Sequence, residues 1–144
     1  MKPENILLES ASDKKLDVKI ADFGFSCIFD PREGLDLVLG SPLYMAPEII
    51  KGETYNEKVD IWSMGVITYM LLTGRNPYPG KNKDQVKRMI VHSEVDLVKH
   101  FKGVSEDAKD FIRMALNKDI EGRYSAKQLL DHKWLKNLED KISH

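Results

Sequence analysis

The chain has 144 residues, of which 42% are hydrophobic and 31% are charged, a balance typical of one soluble domain with a buried core. Because 22 Lys and Arg residues are offset by 23 Asp and Glu residues, the net charge is −1, and no excess of positive charge favours nucleic acid or a membrane surface as a partner. The single cysteine, Cys27, cannot form an internal disulfide. This indicates a reducing compartment, and we expect a cytoplasmic protein.

The first predicted elements are two short strands. Residues 6–8 form an apolar run, a polar stretch follows, and residues 18–20 alternate between apolar and charged. This pattern predicts a β-hairpin with a surface loop. Residues 22–45 contain several glycines and prolines without a sustained period, which predicts a long irregular segment, and such segments are usually functional or disordered.

From Ala46 onward the pattern becomes helical. Pro47 suits a first helical turn, and residues 56–72 form the longest helical candidate, with Gly74 expected just after its end. That stretch is apolar on almost every face, which is typical of a helix in the middle of a core. It contains Asp60 and is shorter than the roughly 20 residues that a membrane span requires.

Shorter helices are predicted over residues 82–135. Residues 84–91 are amphipathic, Ser105 is a predicted N-cap, and Ser125 forms a predicted capping box with Gln128. Trp134 is expected to dock the C-terminal end on the core. The predicted fold class is therefore mainly α with a short β-hairpin.

Three polar residues near the hairpin form a candidate ligand site. Asn5 precedes the first strand and Asp22 follows the second, so a hairpin would bring them close together. An amide oxygen and a carboxylate are hard oxygen ligands that suit Mg²⁺, and Lys2 could place a positive charge beside a phosphate. Taken singly, each residue has a common structural explanation: Lys2 as a solvated lysine, Asn5 as a turn former, and Asp22 as a cap or surface charge.

Together with later motifs, these residues resemble a protein kinase. Residues 2–5 (K-P-E-N) resemble the end of the kinase catalytic loop, residues 22–24 (D-F-G) the magnesium-binding motif, and residues 46–48 (A-P-E) the end of the activation segment. Residues 40–45 and 60–65 resemble the G-T-x-x-Y-x and D-x-W-S-x-G motifs. The chain thus resembles the C-terminal lobe of a protein kinase domain, with 22–48 as activation segment and 56–73 as central helix.

The resemblance implies ATP and Mg²⁺ as cofactors. Lys2 would neutralise the transferring γ-phosphate, and Asn5 and Asp22 would hold the Mg²⁺ ions. Ser41 stands where the family usually has Thr, and its hydroxyl could bridge the catalytic loop and the substrate site.

The resemblance also implies two structural roles. Glu48 would form an ion pair with Arg123, and Asp60 would accept backbone N–H groups of the catalytic loop.

The kinase motif H-R-D-L-K-P-E-N is present here only from its lysine onward. Its Asp, which would accept the substrate proton, and the N-terminal lobe lie outside these residues, so we expect the chain by itself to be inactive. We also expect a central helix without one neighbour to leave an exposed apolar patch and to favour self-association. The alternative is a non-catalytic scaffold or pseudokinase, against which the intact Lys2, Asn5 and Asp22 argue.

Several stretches resemble the calcium/calmodulin-dependent kinase group, above all the calcium-dependent protein kinases of plants and protists: residues 55–63, 80–84, 105–112 and 131–135. This resemblance implies protein substrates phosphorylated on Ser or Thr, and a parent controlled by a calcium-sensing segment or calmodulin. No D-x-D-x-D-G loop occurs in the chain, so no EF-hand is predicted here. Ser26 is the one hydroxyl residue between Phe25 and Leu39, which favours an external regulator over activation-loop phosphorylation.

Overall fold

The computed structural model describes residues 1–9, 17–30, 32–38 and 40–142, with side chains as far as Asn137. Within these residues, two 3₁₀ turns at Pro3–Asn5 and Pro42–Tyr44 accompany two strands and six helices. The strands are β1 (Ile6–Leu8) and β2 (Val18–Ile20). The helices are α1 (Pro47–Lys51), α2 (Lys58–Thr73), α3 (Lys83–His92), α4 (Glu106–Ala115), α5 (Ala126–Leu130) and α6 (Lys133–Ile142). The predicted fold class, mainly α with a short hairpin, is confirmed.

The hairpin pairs β1 and β2 antiparallel, with Ile6 opposite Ile20 and Leu8 opposite Val18. Most of its predicted surface loop, residues 10–16, lies outside the described residues. Leu8, Val18 and Ile20 are each more than half exposed, so the hairpin lies on the surface of the described structure. Two strands alone are marginally stable in water.

Helix α2 runs through the core. Trp62 and Val66 are completely buried and Tyr69 is nearly so. The helix begins two residues later than predicted, because the Asn56 side chain accepts the N–H of Lys58 at 3.0 Å in a local turn. Burial does not extend to the last turn, where Leu71 is 80% exposed, as the expected loss of one neighbour of this helix allows.

The end of α2 and its packing follow from two glycines. Gly74 has φ 66° and donates its N–H to the carbonyl of Met70 at 2.8 Å, which confirms the predicted C-terminal signal. Gly65 allows α4 to approach, since a Cβ there would lie 2.9 Å from Cβ of Ala115. None of the helices in the described ranges has the length and apolar character needed to cross a membrane.

The helix starts were predicted from their caps. Ser105 Oγ accepts the N–H of Ala108 at 3.2 Å, and Ser125 and Gln128 form the reciprocal capping box. Trp134, at the start of α6, packs edge-on against Phe111 of α4 with ring centroids 5.0 Å apart. These contacts confirm the predicted docking of the C-terminal helix on the core.

Candidate functional site at the end of the hairpin

The hairpin places Asn5 and Asp22 at the same end, as the sequence predicts. The N–H of Ala21 donates to the carbonyl oxygen of Asn5 at 2.8 Å and so extends the ladder one residue beyond the Ile6–Ile20 pair. Asp22 therefore follows the residue that is bonded directly to Asn5. Lys2 belongs to the same turn, since the N–H of Asn5 donates to its carbonyl oxygen at 3.1 Å.

Asp22 has an unusual backbone conformation. Its φ is 60°, in the left-handed region, which few residues other than glycine occupy and which Asp tolerates better than most. The N–H of Gly24 donates to its carboxylate at 3.2 Å, and the residue is exposed. Such conformations concentrate at functional sites, where the surrounding structure maintains them.

The donor set at this end of the hairpin fits Mg²⁺. The described residues contain no group of three His, Cys, Asp or Glu side chains that could hold a metal ion. Magnesium is commonly held by one or two carboxylates, with waters and substrate phosphates as its other ligands. One carboxylate and one amide, from Asp22 and Asn5, are chemically suitable for such a shared site.

The first two turns of α2 contact both the residue before Lys2 and the 3₁₀ turn that ends at Tyr44. The amino group of Met1 donates to Asp60 and to the Ser63 hydroxyl, both at 3.3 Å. The Ser63 hydroxyl also donates to the carbonyl oxygen of Tyr44 at 2.8 Å. Asp60 thus accepts from the terminal amino group of Met1, and its role as an acceptor for backbone N–H groups of the catalytic loop stays a prediction.

Ser63 was not singled out from the sequence as a site residue. Its signal was the motif D-x-W-S, which places a small hydroxyl side chain on a helix that is otherwise apolar there. A buried hydroxyl needs hydrogen-bond partners, and Ser63 is 4% exposed. The identity of those partners depends on the fold.

Ser41 immediately precedes the 3₁₀ turn Pro42–Tyr44 and is exposed. Its hydroxyl makes no hydrogen bond that caps that turn. Burial, with a smaller contribution from the nearby Glu4 carboxylate, raises the pKa of Tyr44. Tyr44 therefore stays protonated near neutral pH close to the turn that contains Asn5.

The predicted ion pair between Glu48 and Arg123 is present and buried. The two guanidinium nitrogens donate to the two carboxylate oxygens at 2.6 and 2.9 Å, and both side chains are almost inaccessible to water. Arg123 also donates to the carbonyl oxygens of Asn117 at 2.8 Å and Lys58 at 3.2 Å. Its guanidinium lies 5.2 Å from the centre of the Trp62 ring. The pair joins the start of α1 to the loop before α5 and to α2.

Comparison with known proteins agrees with these motifs. The model of the protein kinase domain family matches residues 1–135. The chain is 42% identical over 144 residues to myosin light chain kinase 3 of Mus musculus, covering 99% of the chain and 18% of that protein. It is 43% identical over 138 residues to calcium-dependent protein kinase 32 of Arabidopsis thaliana, covering 95% of the chain and 25% of that protein. The chain therefore spans about a fifth to a quarter of the length of these relatives.

Proposed function

Because the chain belongs to the protein kinase domain family, we propose that it is part of a serine/threonine protein kinase that transfers the γ-phosphate of ATP to protein substrates. The observation that carries the proposal is the meeting of Asn5 and Asp22 at one end of the hairpin. Relatives named as myosin light chain kinase and calcium-dependent protein kinase support the same activity. They also agree with the predicted calcium/calmodulin-dependent group.

Asn5 and Asp22 would hold Mg²⁺, and Lys2 would place its ammonium group beside the transferred phosphoryl group. Bound Mg²⁺ neutralises charge on the β- and γ-phosphates of ATP. Phosphoryl transfer needs little covalent work from the protein, so positioning and charge stabilisation are the main contributions of these side chains. The left-handed Asp22 and the hydrogen bond from Gly24 support this role, because both limit the conformations of the carboxylate.

The segment that contains Ser41 would meet the protein substrate. Ser41 lies next to the turn that ends at Tyr44, and Tyr44 is bonded to Ser63 of α2. An exposed hydroxyl on an anchored turn is suited to bridging the catalytic loop and a bound peptide. We assign this role to Ser41. We also propose that the protein acts in the cytoplasm.

The 144 residues by themselves would be inactive. None of their nine glycines lies two residues from another, so a G-x-G-x-x-G phosphate loop does not occur among them. The Asp that receives the substrate proton in kinases lies two positions before the lysine of K-P-E-N, and no residue of this chain occupies that position. Asn5, Asp22 and Lys2 would then contact only the phosphate end of the nucleotide.

Regulation by calcium is the second part of the proposal. The named relatives include a calcium-dependent protein kinase, and residues 25–39 contain a single hydroxyl side chain, that of Ser26. A calcium-sensing segment or calmodulin acting on the longer protein would then replace phosphorylation of the activation segment as the control.

The activity is tested with the full-length protein, Mg²⁺ and radiolabelled ATP on a mixture of Ser and Thr peptides. Asp22→Asn should lower kcat/KM by at least about 100-fold, the scale found when one group that stabilises the transition state is removed. Asp131→Asn is the matched control, because Asp131 is exposed and lies at the far end of α5. No transfer by the full-length protein would favour the scaffold alternative, and an active Asp22→Asn variant would refute the metal assignment.

The inactivity of the isolated chain needs a separate measurement. Titration calorimetry of the 144-residue chain with ATP and Mg²⁺ should give no binding in the micromolar range. Micromolar binding would contradict the proposal that these residues lack the main nucleotide contacts.

A further inference from the structure

Tyr55 links the predicted activation segment to the loop between α1 and α2. Leu35 and Tyr55 exchange both backbone hydrogen bonds, N–H to carbonyl oxygen, at 2.9 Å each, as an isolated antiparallel bridge. The Tyr55 hydroxyl donates a third hydrogen bond to the carbonyl oxygen of Leu37 at 2.7 Å. One tyrosine therefore holds two alternate residues of the segment through both its backbone and its side chain.

A glycine makes this close approach possible. Gly34 has φ 70°, and a Cβ at this position would lie 2.3 Å from Cγ2 of Thr54, well inside van der Waals contact. Any larger residue at position 34 would therefore be strained in its backbone and would collide with the residue next to Tyr55. The packing on this side of the bridge supports the same alignment as the three hydrogen bonds.

The bridge matters because the rest of the segment has few other attachments. Among the described residues between Asp22 and Val38, the remaining hydrogen bonds are local ones, such as Ser26 to Phe23 and Gly34 to Asp30. Among the described residues after Val38, the next hydrogen bond to a core helix is the one from Ser63 to the carbonyl oxygen of Tyr44. Tyr55 and Ser63 thus hold the chain on the two sides of Ser41.

Tyr55 is itself well supported. It lies three residues before α2, whose first turn is fixed by the Asn56 side chain and by the bond from Val59 to the Asn56 carbonyl. Burial is the largest cause that raises the pKa of Tyr55, with smaller contributions from Cys27, Asp36 and Asp60. The hydroxyl therefore keeps its proton and remains a donor across the physiological pH range.

We infer that Tyr55 is a positioning residue for the protein substrate. By holding residues 35–37 against the loop before α2, it fixes where the chain enters the Ser41 turn, to which the substrate would bind. This inference rests on the proposed kinase function. It separates Tyr55 from Asn5, Asp22 and Lys2, which would contact the nucleotide and its metal at the other end of the segment.

The first test is kinetic and uses Tyr55→Phe in the full-length protein. The variant keeps the ring and the backbone bridge and loses only the hydrogen bond to Leu37. A neutral hydrogen bond of this kind corresponds to about a two- to tenfold change in an equilibrium constant. We expect KM for the peptide to rise by about that factor, with KM for ATP unchanged and kcat altered by less than about twofold.

Tyr124→Phe is the matched control. Tyr124 is also a half-buried tyrosine, but it packs beside α4 and α5, in a hydrophobic cluster that does not include Tyr55. Its substitution should leave both KM values unchanged. Equal increases of the two KM values in Tyr55→Phe, or no change in either, would overturn the positioning role.

A second variant, Gly34→Ala, perturbs the same contact from within the predicted activation segment. Gly34→Ala should displace residues 34–35 from Thr54 and raise the peptide KM at least as much as Tyr55→Phe, again without changing KM for ATP. An unchanged peptide KM in Gly34→Ala would contradict the inference.

Hydrogen exchange of the 144-residue chain tests the inference without kinase activity. In Tyr55→Phe, the amides of Leu35 and Tyr55 should exchange faster by about two- to tenfold, because both are bonded within the bridge. Amides in the middle of α2 should be unaffected. If the bridge amides do not change, the hydroxyl does not hold the segment. If these amides exchange faster but the full-length protein transfers no phosphate, the hydrogen bond from Tyr55 to the segment is supported. The proposed role in substrate positioning is then refuted together with the proposed kinase function.

Discussion

The buried ion pair between Glu48 and Arg123 gives the sharpest prediction about stability. Arg123→Met removes the guanidinium and leaves the Glu48 carboxylate, which is 2% exposed, without its bidentate partner. It also removes the donors to the carbonyls of Asn117 and Lys58. Breaking one side of a buried pair typically costs about 3–5 kcal/mol, because an uncompensated charge stays away from water.

Such a loss is large compared with the total stability of a domain, about 5–15 kcal/mol. Glu48→Gln should also be strongly destabilising, since it leaves the Arg123 charge buried beside a neutral amide. In the double variant no buried charge is left unpaired. Its loss should therefore be smaller than the sum of the two single losses by at least about 2 kcal/mol.

Urea denaturation of the 144-residue chain, followed by tryptophan fluorescence, measures these losses. The signal is appropriate because Trp62 lies against the Arg123 guanidinium. Lys19→Met is the control, since Lys19 and Glu9 form an ion pair in which both side chains are more than half exposed. Exposed pairs contribute about 0–1 kcal/mol. Single variants that cost less than about 1 kcal/mol, or strictly additive losses, would refute the reasoning.

Three further predictions concern other parts of the chain. Ser125→Ala removes a capping hydroxyl and should cost about 1 kcal/mol in urea denaturation, whereas Ser26→Ala in the irregular segment should change stability by less than about 0.5 kcal/mol. Burial raises the pKa of Tyr78 far above its usual range. As the pH rises, the unfolded chain therefore loses this proton before the folded chain does. The free energy of unfolding should fall above about pH 10, and it should fall less in Tyr78→Phe. Phe23 and Phe25 are 68% and 72% exposed, so the isolated chain should self-associate, as measured by sedimentation. The variant in which both phenylalanines are replaced by Ser should self-associate less.

Elements whose ends are determined by local chemistry could be predicted well from the sequence. Ser125 with Gln128, Ser105 and Gly74 each act on backbone groups within a few residues, so the helix boundaries they set follow from the chain itself. The start of α2 was predicted two residues early because Asn56 favours a local turn over the first helical turn.

Contacts between distant residues could not be predicted in the same way. The exposure of Leu71 depends on which helices reach the last turn of α2, and an apolar pattern alone does not contain that information. The bond from Tyr55 to Leu37 and the bond from Ser63 to Tyr44 join residues that the chain brings together only after it folds. The motif resemblance indicated the candidate ligand residues, while the hydrogen bonds around them became visible only in the structure.

The positions of these supporting residues have a common physical basis. Asp60 and Ser63 lie on the first turns of α2, Tyr55 lies just before it, and Arg123 bonds to the carbonyl of Lys58 at its start. The middle of that helix is buried, so the helix is anchored in the core close to the candidate site. For the proposed contacts with phosphate and metal, Asp22 has to remain exposed, as it is, while Lys2 and Asn5 are only partly buried, so burial alone does not fix these side chains. Hydrogen bonds from a buried helix to an exposed segment resolve this conflict, because they restrict the segment without removing it from solvent.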